Sequence, residues 1–325
     1  MTDRAPERRR RWPRVLRSVV AIVVIGAVGC FFVITLIRNW DQVAAQHLEF
    51  SWWWLVAGVL FAAAVPLTGY LWGRILRTLS PDAEVSLAEA VAVQCASWLL
   101  KYIPGQVGSV VNKVIWAGKK QISRVLVVIT FVYENVFLQI VSIVPSLVVL
   151  AFALGPETLG ANAPTILLPT LIILPLAAFV YRPVFHRVMS VLLRRALKQE
   201  VPPEEYFLRT PKVVGFLFEF LGPRVLNGVG FVLIAATVTD VEPSDWLPLA
   251  SAYVLAGAIG ILAVFVPSGL GVREGVVVLL LGFFMPVTAA IVVSLLARLI
   301  STASDGIVAL LYAGVRRSIP KEFRP

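Results

Sequence analysis

The sequence predicts an all-α polytopic membrane protein, and three observations carry that prediction. Of 325 residues, 58% are hydrophobic and only 15% charged, whereas soluble domains carry about 25% charged and ~45–50% apolar residues. Mean hydropathy is +0.85. The apolar residues gather in runs of about twenty, enough for a helix to cross a ~30 Å hydrocarbon core. They do not alternate with polar residues, as the ~10-residue strands of an outer-membrane barrel must. In such a chain a net charge of +10 is first a topology signal, and no nucleic-acid partner is expected.

Taken in order, full-length spans are expected at residues 15–37, 52–72, 125–153, 163–181, 216–238 and 288–314. The first follows Arg8 to Arg11 and passes Ala27-Val28-Gly29-Cys30, a start that resembles a signal peptide with a lipoprotein box. Its apolar run continues past Cys30 to Ile37, longer than a signal core, so it reads as an uncleaved span. Trp52-Trp53-Trp54 forms an aromatic belt where the second span begins. Residues 184–198 interleave Val184, Phe185, Val188, Val191, Leu192 and Leu193 with Arg187, Arg194, Arg195 and Lys198. That pattern reads as an amphipathic helix on the anionic inner leaflet.

Two further apolar stretches do not fit as single spans. Residues 86–118 are interrupted by Lys101-Tyr102-Ile103-Pro104-Gly105, and residues 248–286 by Pro267-Ser268-Gly269-Leu270-Gly271. Each is expected to be a broken pair, either a re-entrant hairpin or two short spans, since unpaired backbone at membrane depth needs protein or water around it. Both breaks read aromatic-aliphatic-Pro-x-x-aliphatic-Gly.

Basic residues fix the expected orientation. The N-terminal tail, residues 73–124, residues 182–212, Arg224 and the tail after 314 hold 26 Lys and Arg, against one, Arg38, in the intervening loops. Both termini are therefore expected in the cytoplasm, and the two breaks enter from opposite faces. Similar motifs with opposite topology point to inverted repeats whose broken helices meet near the midplane. The expected organisation is a basic tail at 1–14, one membrane domain at 15–315 and a basic tail at 316–325. The repeats would cover about 15–153 and 163–314.

Charges inside the apolar portion are functional candidates, because each costs ~2.5–3.5 kcal/mol on insertion scales. Glu134 lies inside the 125–153 span with Asn135 and Gln139 nearby. Arg298 and Asp305 are seven residues apart in the last span, on one helical face with Ser301 and Thr302. Arg273 and Glu274 follow the second break, and Lys101 precedes the first. Lys101, Arg273 and Arg298 are cations placed either to meet a phosphate or to pair structurally, with Glu134 and Asp305 as candidate counter-ions. Cys30, Cys95, His47 and His186 have no metal-ligand spacing. Gly269, Gly271 and Gly275 lack the strand of a dinucleotide loop, and no phosphate-binding Gly-x-x-x-x-Gly-Lys-Ser/Thr occurs. No catalytic residue, metal or cofactor is assigned.

Lys101-Tyr102-Ile103-Pro104-Gly105, Glu134, and Pro267-Ser268-Gly269-Leu270-Gly271-Val272-Arg273-Glu274 together resemble the transmembrane domain of the lysylphosphatidylglycerol synthase/flippase family, over about residues 15–315. Members usually carry Gly at the place of Ser268 and often Arg at the place of Lys101, and Lys does not replace a bidentate Arg contact. The resemblance implies a lipid flippase of the plasma membrane and no enzyme. Its substrate-binding residues would be Lys101, Tyr102, Pro104, Gly105, Glu134, Pro267, Gly269, Gly271, Arg273, Glu274, Arg298 and Asp305. Lysyl transfer is not expected, because the longest polar stretch, residues 182–212, is too short for a transferase domain. Partners are membrane lipids, among them anionic inner-leaflet phospholipid, and a separate lipid-modifying enzyme is a candidate. Aminoacyl-phospholipid, plain phospholipid and a lipid-linked precursor all fit as cargo. An intramembrane transferase and a non-transporting assembly subunit are the alternatives.

Overall fold

The computed structural model describes residues 34, 37–38, 49–101, 107–161, 181–197, 202–263, 269 and 271–324. Among these residues there is no strand, and nine α-helices follow one another: α1 (Trp52–Leu79), α2 (Leu87–Leu99), α3 (Val107–Lys119), α4 (Arg124–Ala161), α5 (Arg182–Leu197), α6 (Thr210–Ala235), α7 (Trp246–Leu262), α8 (Val272–Leu281) and α9 (Val287–Val315). The expected spans at 15–37 and 163–181 lie outside the described residues, apart from Ile34, Ile37 and Tyr181.

Local chemistry sets the helix ends. Ser51 caps α1 by accepting from the Trp53 N–H. Ser86 and Glu89 form a reciprocal capping box on α2. Within α4, Gly155 leaves helical geometry at φ 71°, a conformation that favours glycine. Pro66 in α1 and Pro223 in α6 sit inside long helices, as membrane helices allow when neighbours re-satisfy the backbone.

Five helical segments are long and apolar enough to cross a membrane: Trp52–Leu79, Arg124–Gly155, Glu204–Ala235, Pro243–Leu262 and Val287–Ser318. The chain is thus a multi-pass helical membrane protein. The fourth segment refines the sequence reading, which makes 248–262 one arm of a broken pair. The arm has 20 residues from Pro243, because Pro243 to Asp245 form a short 3-10 turn that continues into α7. By contrast α2 and α3 have 13 residues each and α8 has 10. At 1.5 Å per residue these reach only ~15–20 Å, short of a ~30 Å core.

The packed helix pairs show a regularity. Exchanging α1 with α6, α2 with α7, α3 with α8 and α4 with α9 turns every well-packed helix pair into another well-packed pair. The same shift of 163 residues takes the end of α2 to the end of α7 (99 to 262) and the start of α4 to the start of α9 (124 to 287).

Aromatic side chains fill one end of the bundle. Trp72, Trp116, Tyr133, Phe137, Phe216 and Phe220 are buried together, and Tyr133 Oη accepts from the Leu208 N–H at 3.0 Å. The amphipathic helix expected at 184–198 is α5, but its apolar residues divide. Phe185, Met189 and Leu193 are buried in this cluster, while Val184, Val191 and Leu192 stay exposed. Two of the three belt tryptophans, Trp52 and Trp53, are exposed, and Trp54 donates to Thr237 Oγ1 at 2.8 Å.

Candidate functional site

A cavity of about 460 Å³ lies at the heart of the bundle. Its walls fall within residues 61–68 of α1, 131–139 of α4, 223–227 of α6 and 298–308 of α9. These are near the middle of α1, α6 and α9, so the cavity lies near mid-depth of the long helices. The ends of the short helices reach the same space: Ser97, Trp98 and Lys101 at the end of α2, Ser109 and Lys113 on α3, the last turns of α7, and Gly269 and Arg273 beside the second break.

Each hairpin is braced across its break. Ser109 Oγ donates to the Ser97 carbonyl at 2.7 Å, and Ser97 Oγ donates back to the Ser109 carbonyl at 3.3 Å. In the second hairpin Gly269 has φ 66°, and a Cβ there would stand 2.7 Å from the Gly260 carbonyl oxygen. Only glycine permits both that conformation and that approach. The Gly271 N–H donates to Glu274 Oε2 at 2.7 Å, which caps α8.

Three ion pairs tie the hairpins to the long helices. Lys101 Nζ lies 2.7 Å from Asp305 Oδ1 on α9. The same carboxylate oxygen accepts from Trp98 Nε1 at 2.9 Å, and the Lys101 ammonium rests 4.2 Å from the Trp98 ring centre. Lys113 pairs with Glu134 of α4, both almost fully buried. Gln94 Nε2 donates to the other Glu134 oxygen at 2.7 Å, and the Trp72 ring lies 4.3 Å below the Lys113 ammonium. Arg298 Nε is 3.5 Å from Glu274 Oε1.

Two cavity arginines have no carboxylate within ion-pair distance among the described residues. Arg273 stands 4.5 Å from the ring centre of Tyr253, which also stacks with Phe61 and with Phe231. Arg224 Nη2 donates to the Leu138 carbonyl at 3.4 Å, and its buried Nε has no hydrogen-bond partner. Among the described residues the cavity region therefore holds five cations (Lys101, Lys113, Arg224, Arg273, Arg298) and three carboxylates (Glu134, Glu274, Asp305), a surplus of two positive charges.

The model of the lysylphosphatidylglycerol synthase TM region matches residues 18–309. The chain belongs to that family. No curated protein matches it. The lysylphosphatidylglycerol synthase TM region thus takes in all nine described helices except residues 310–315 of α9.

Of the residues that the sequence singles out in this family member, Lys101, Glu134, Gly269, Arg273, Arg298 and Asp305 line this cavity. Gly271 and Glu274 stand behind it, holding the start of α8 and the Arg298 guanidinium. Tyr102, Pro104, Gly105 and Pro267 lie outside the described residues. The pairing differs from the expected one at two places. Glu134 is held by Lys113 rather than by Lys101, Arg273 or Arg298, and Arg298 faces Glu274 rather than Glu134. Helical periodicity gives a residue's face but not its neighbour across the bundle. Three residues counted as cytoplasmic, Lys101, Lys113 and Arg224, line the cavity, so the basic partition becomes 23 to 1. Lys113, Gln94 and Arg224 are the site residues that sequence reasoning passes over. Arg224 carried a signal, because it lies inside the apolar run 216–238.

Proposed function

We propose that this family member moves a phosphate-bearing lipid, an anionic or aminoacylated phospholipid or a lipid-linked precursor, between leaflets of the plasma membrane. The observation that carries this reading is the charged mid-depth cavity at which both interrupted helix pairs converge. A headgroup needs a polar path through the hydrocarbon, while the acyl tails stay in lipid. Buried charges in a membrane are costly and are kept where they serve a path or site. The family's link to lysylphosphatidylglycerol agrees with such a cargo.

Each ion pair joins a short hairpin helix to a long one. A headgroup phosphate competes with the carboxylates for these cations, which loosens the hairpin from α9 or α4. Restoring the pairs after release returns the hairpin. The exchange regularity of the helix contacts supports two hairpins that act from opposite faces, as inverted repeats do. With both termini in the cytoplasm, as the basic residues predict, one hairpin opens inward and the other outward.

The test is reconstitution into liposomes with labelled phosphatidylglycerol, lysyl-phosphatidylglycerol, phosphatidylcholine and a polyprenyl-linked sugar. Leaflet exposure is followed with a membrane-impermeant reductant. The reading predicts protein-dependent movement of at least one phosphate-bearing lipid. Monodisperse protein that moves none of the four contradicts it.

A further inference from the structure

We infer that Arg224 and Arg273 together form the binding seat for the phosphate of the lipid headgroup. The inference rests on the proposed transport of such a lipid and deepens it by naming the residues that hold the cargo.

The other three cations of the region each face a carboxylate on a neighbouring helix. An anion must displace a carboxylate to use these cations. Arg224 and Arg273 face none among the described residues. Arg273 lies 4.5 Å from the Tyr253 ring centre, and its guanidinium carries more N–H donors than that one neighbour can take. Arg224 has one long hydrogen bond to a carbonyl and a buried, unsatisfied Nε. Arg224 and Arg273 line the same cavity, and each is partly buried. Two like charges on the wall of one cavity favour an anion between them. A phosphate suits this place, because its oxygens match the planar donor fork of Arg.

Arg224 comes from α6 and Arg273 from the start of α8. The seat thus joins a long helix to a broken hairpin without using an ion pair. Near it, Gln139 Oε1 is a buried acceptor with no hydrogen-bond partner. It is suited to a hydroxyl or ammonium of the same headgroup, so the cavity offers a place for phosphate and a place for a donor.

The experiment is binding of dihexanoyl-phosphatidylglycerol to the purified full chain in detergent, by calorimetry. Inorganic phosphate and phosphate-free dihexanoylglycerol run in parallel. Arg224→Gln and Arg273→Gln are each expected to weaken the phosphatidylglycerol about tenfold or more and to leave dihexanoylglycerol unchanged. Arg224→Lys is expected to recover only part of the loss, because the fork is gone. Folded Gln variants that bind phosphatidylglycerol as tightly as the native chain overturn the seat. Inorganic phosphate binding as tightly as the lipid assigns the seat to a soluble anion and overturns the lipid assignment. If Arg224→Gln does not stay monodisperse, Arg224→Lys decides, and native affinity there overturns the proposal. Transport of labelled lipid by the native chain is scored separately. Native-like binding in the variants with transport intact removes the seat and leaves the transport reading. Arg-dependent binding without transport by the native chain does the reverse.

Discussion

Lys101 Nζ stands 2.7 Å from Asp305 Oδ1, and that contact fastens the end of α2 to the middle of α9. The two residues lie 204 positions apart in the chain, and each is only partly exposed. Breaking the pair leaves a charge in the cavity wall. Asp305→Asn and Lys101→Ala are each expected to destabilise the protein by about 1–3 kcal/mol and to slow lipid movement. The charge-reversed double variant Lys101→Asp with Asp305→Lys recovers part of the stability. Thermal unfolding of detergent-solubilised protein reads the first effect, and the difference between single and double variants reads the second.

Glu134 is bound to Lys113 and Gln94 in a nearly water-free place. Glu134→Gln strands the Lys113 ammonium, and removing one partner of a buried pair costs about 3–5 kcal/mol. The single variant is expected to aggregate or melt early. Lys113→Met combined with Glu134→Gln removes both charges and is expected to restore most of the melting temperature. Its monodispersity on gel filtration checks this, and equal behaviour of the single and double variants contradicts the pairing.

Close approach of α1 and α2 depends on glycine. A Cβ on Gly73 would stand 2.6 Å from the Ala90 Cβ, and one on Gly69 would stand 2.7 Å from the Gln94 Cβ. Gly73→Ala is therefore expected to force the helices apart at about 1–3 kcal/mol. At Gly306 of α9 a Cβ meets open space. Gly306→Ala is expected to be neutral or to stabilise by about 0.5–1 kcal/mol. The melting temperature is expected to fall in Gly73→Ala and to hold or rise in Gly306→Ala.

Hydropathy alone placed the long helices, since α1, α4, α6 and α9 each overlap an apolar run of span length. It did not separate α7 as a span of its own. The run 248–286 contains a Pro/Gly break, and that break drew its two unequal arms into one unit. The charged residues were legible by type and depth: Glu134, Arg273, Arg298 and Asp305 are charges within apolar sequence, and all line the cavity. Their partners were not legible. Lys113 sits in a half-apolar arm beside Asn112, which resembles an interfacial face until α3 packs against α4. Arg224 follows Pro223 inside an expected span, and counting it with the loops hid the strongest clue to its place. Ion-pair choice is a property of helix packing, and no local pattern in the sequence encodes it.

In the proposed transport the headgroup crosses through this cavity. Gly257 lines it, and a Cβ there meets nothing within 4 Å, so a large side chain enters the cavity rather than a neighbouring helix. The most direct measurement is lipid translocation in liposomes by Gly257→Trp, with Gly257→Ala as the control. The alanine variant is expected to move lipid at the native rate, and the tryptophan variant, folded and monodisperse, to move at least ten times less, about 1.4 kcal/mol on the barrier. A folded Gly257→Trp protein that moves lipid at the native rate contradicts that route.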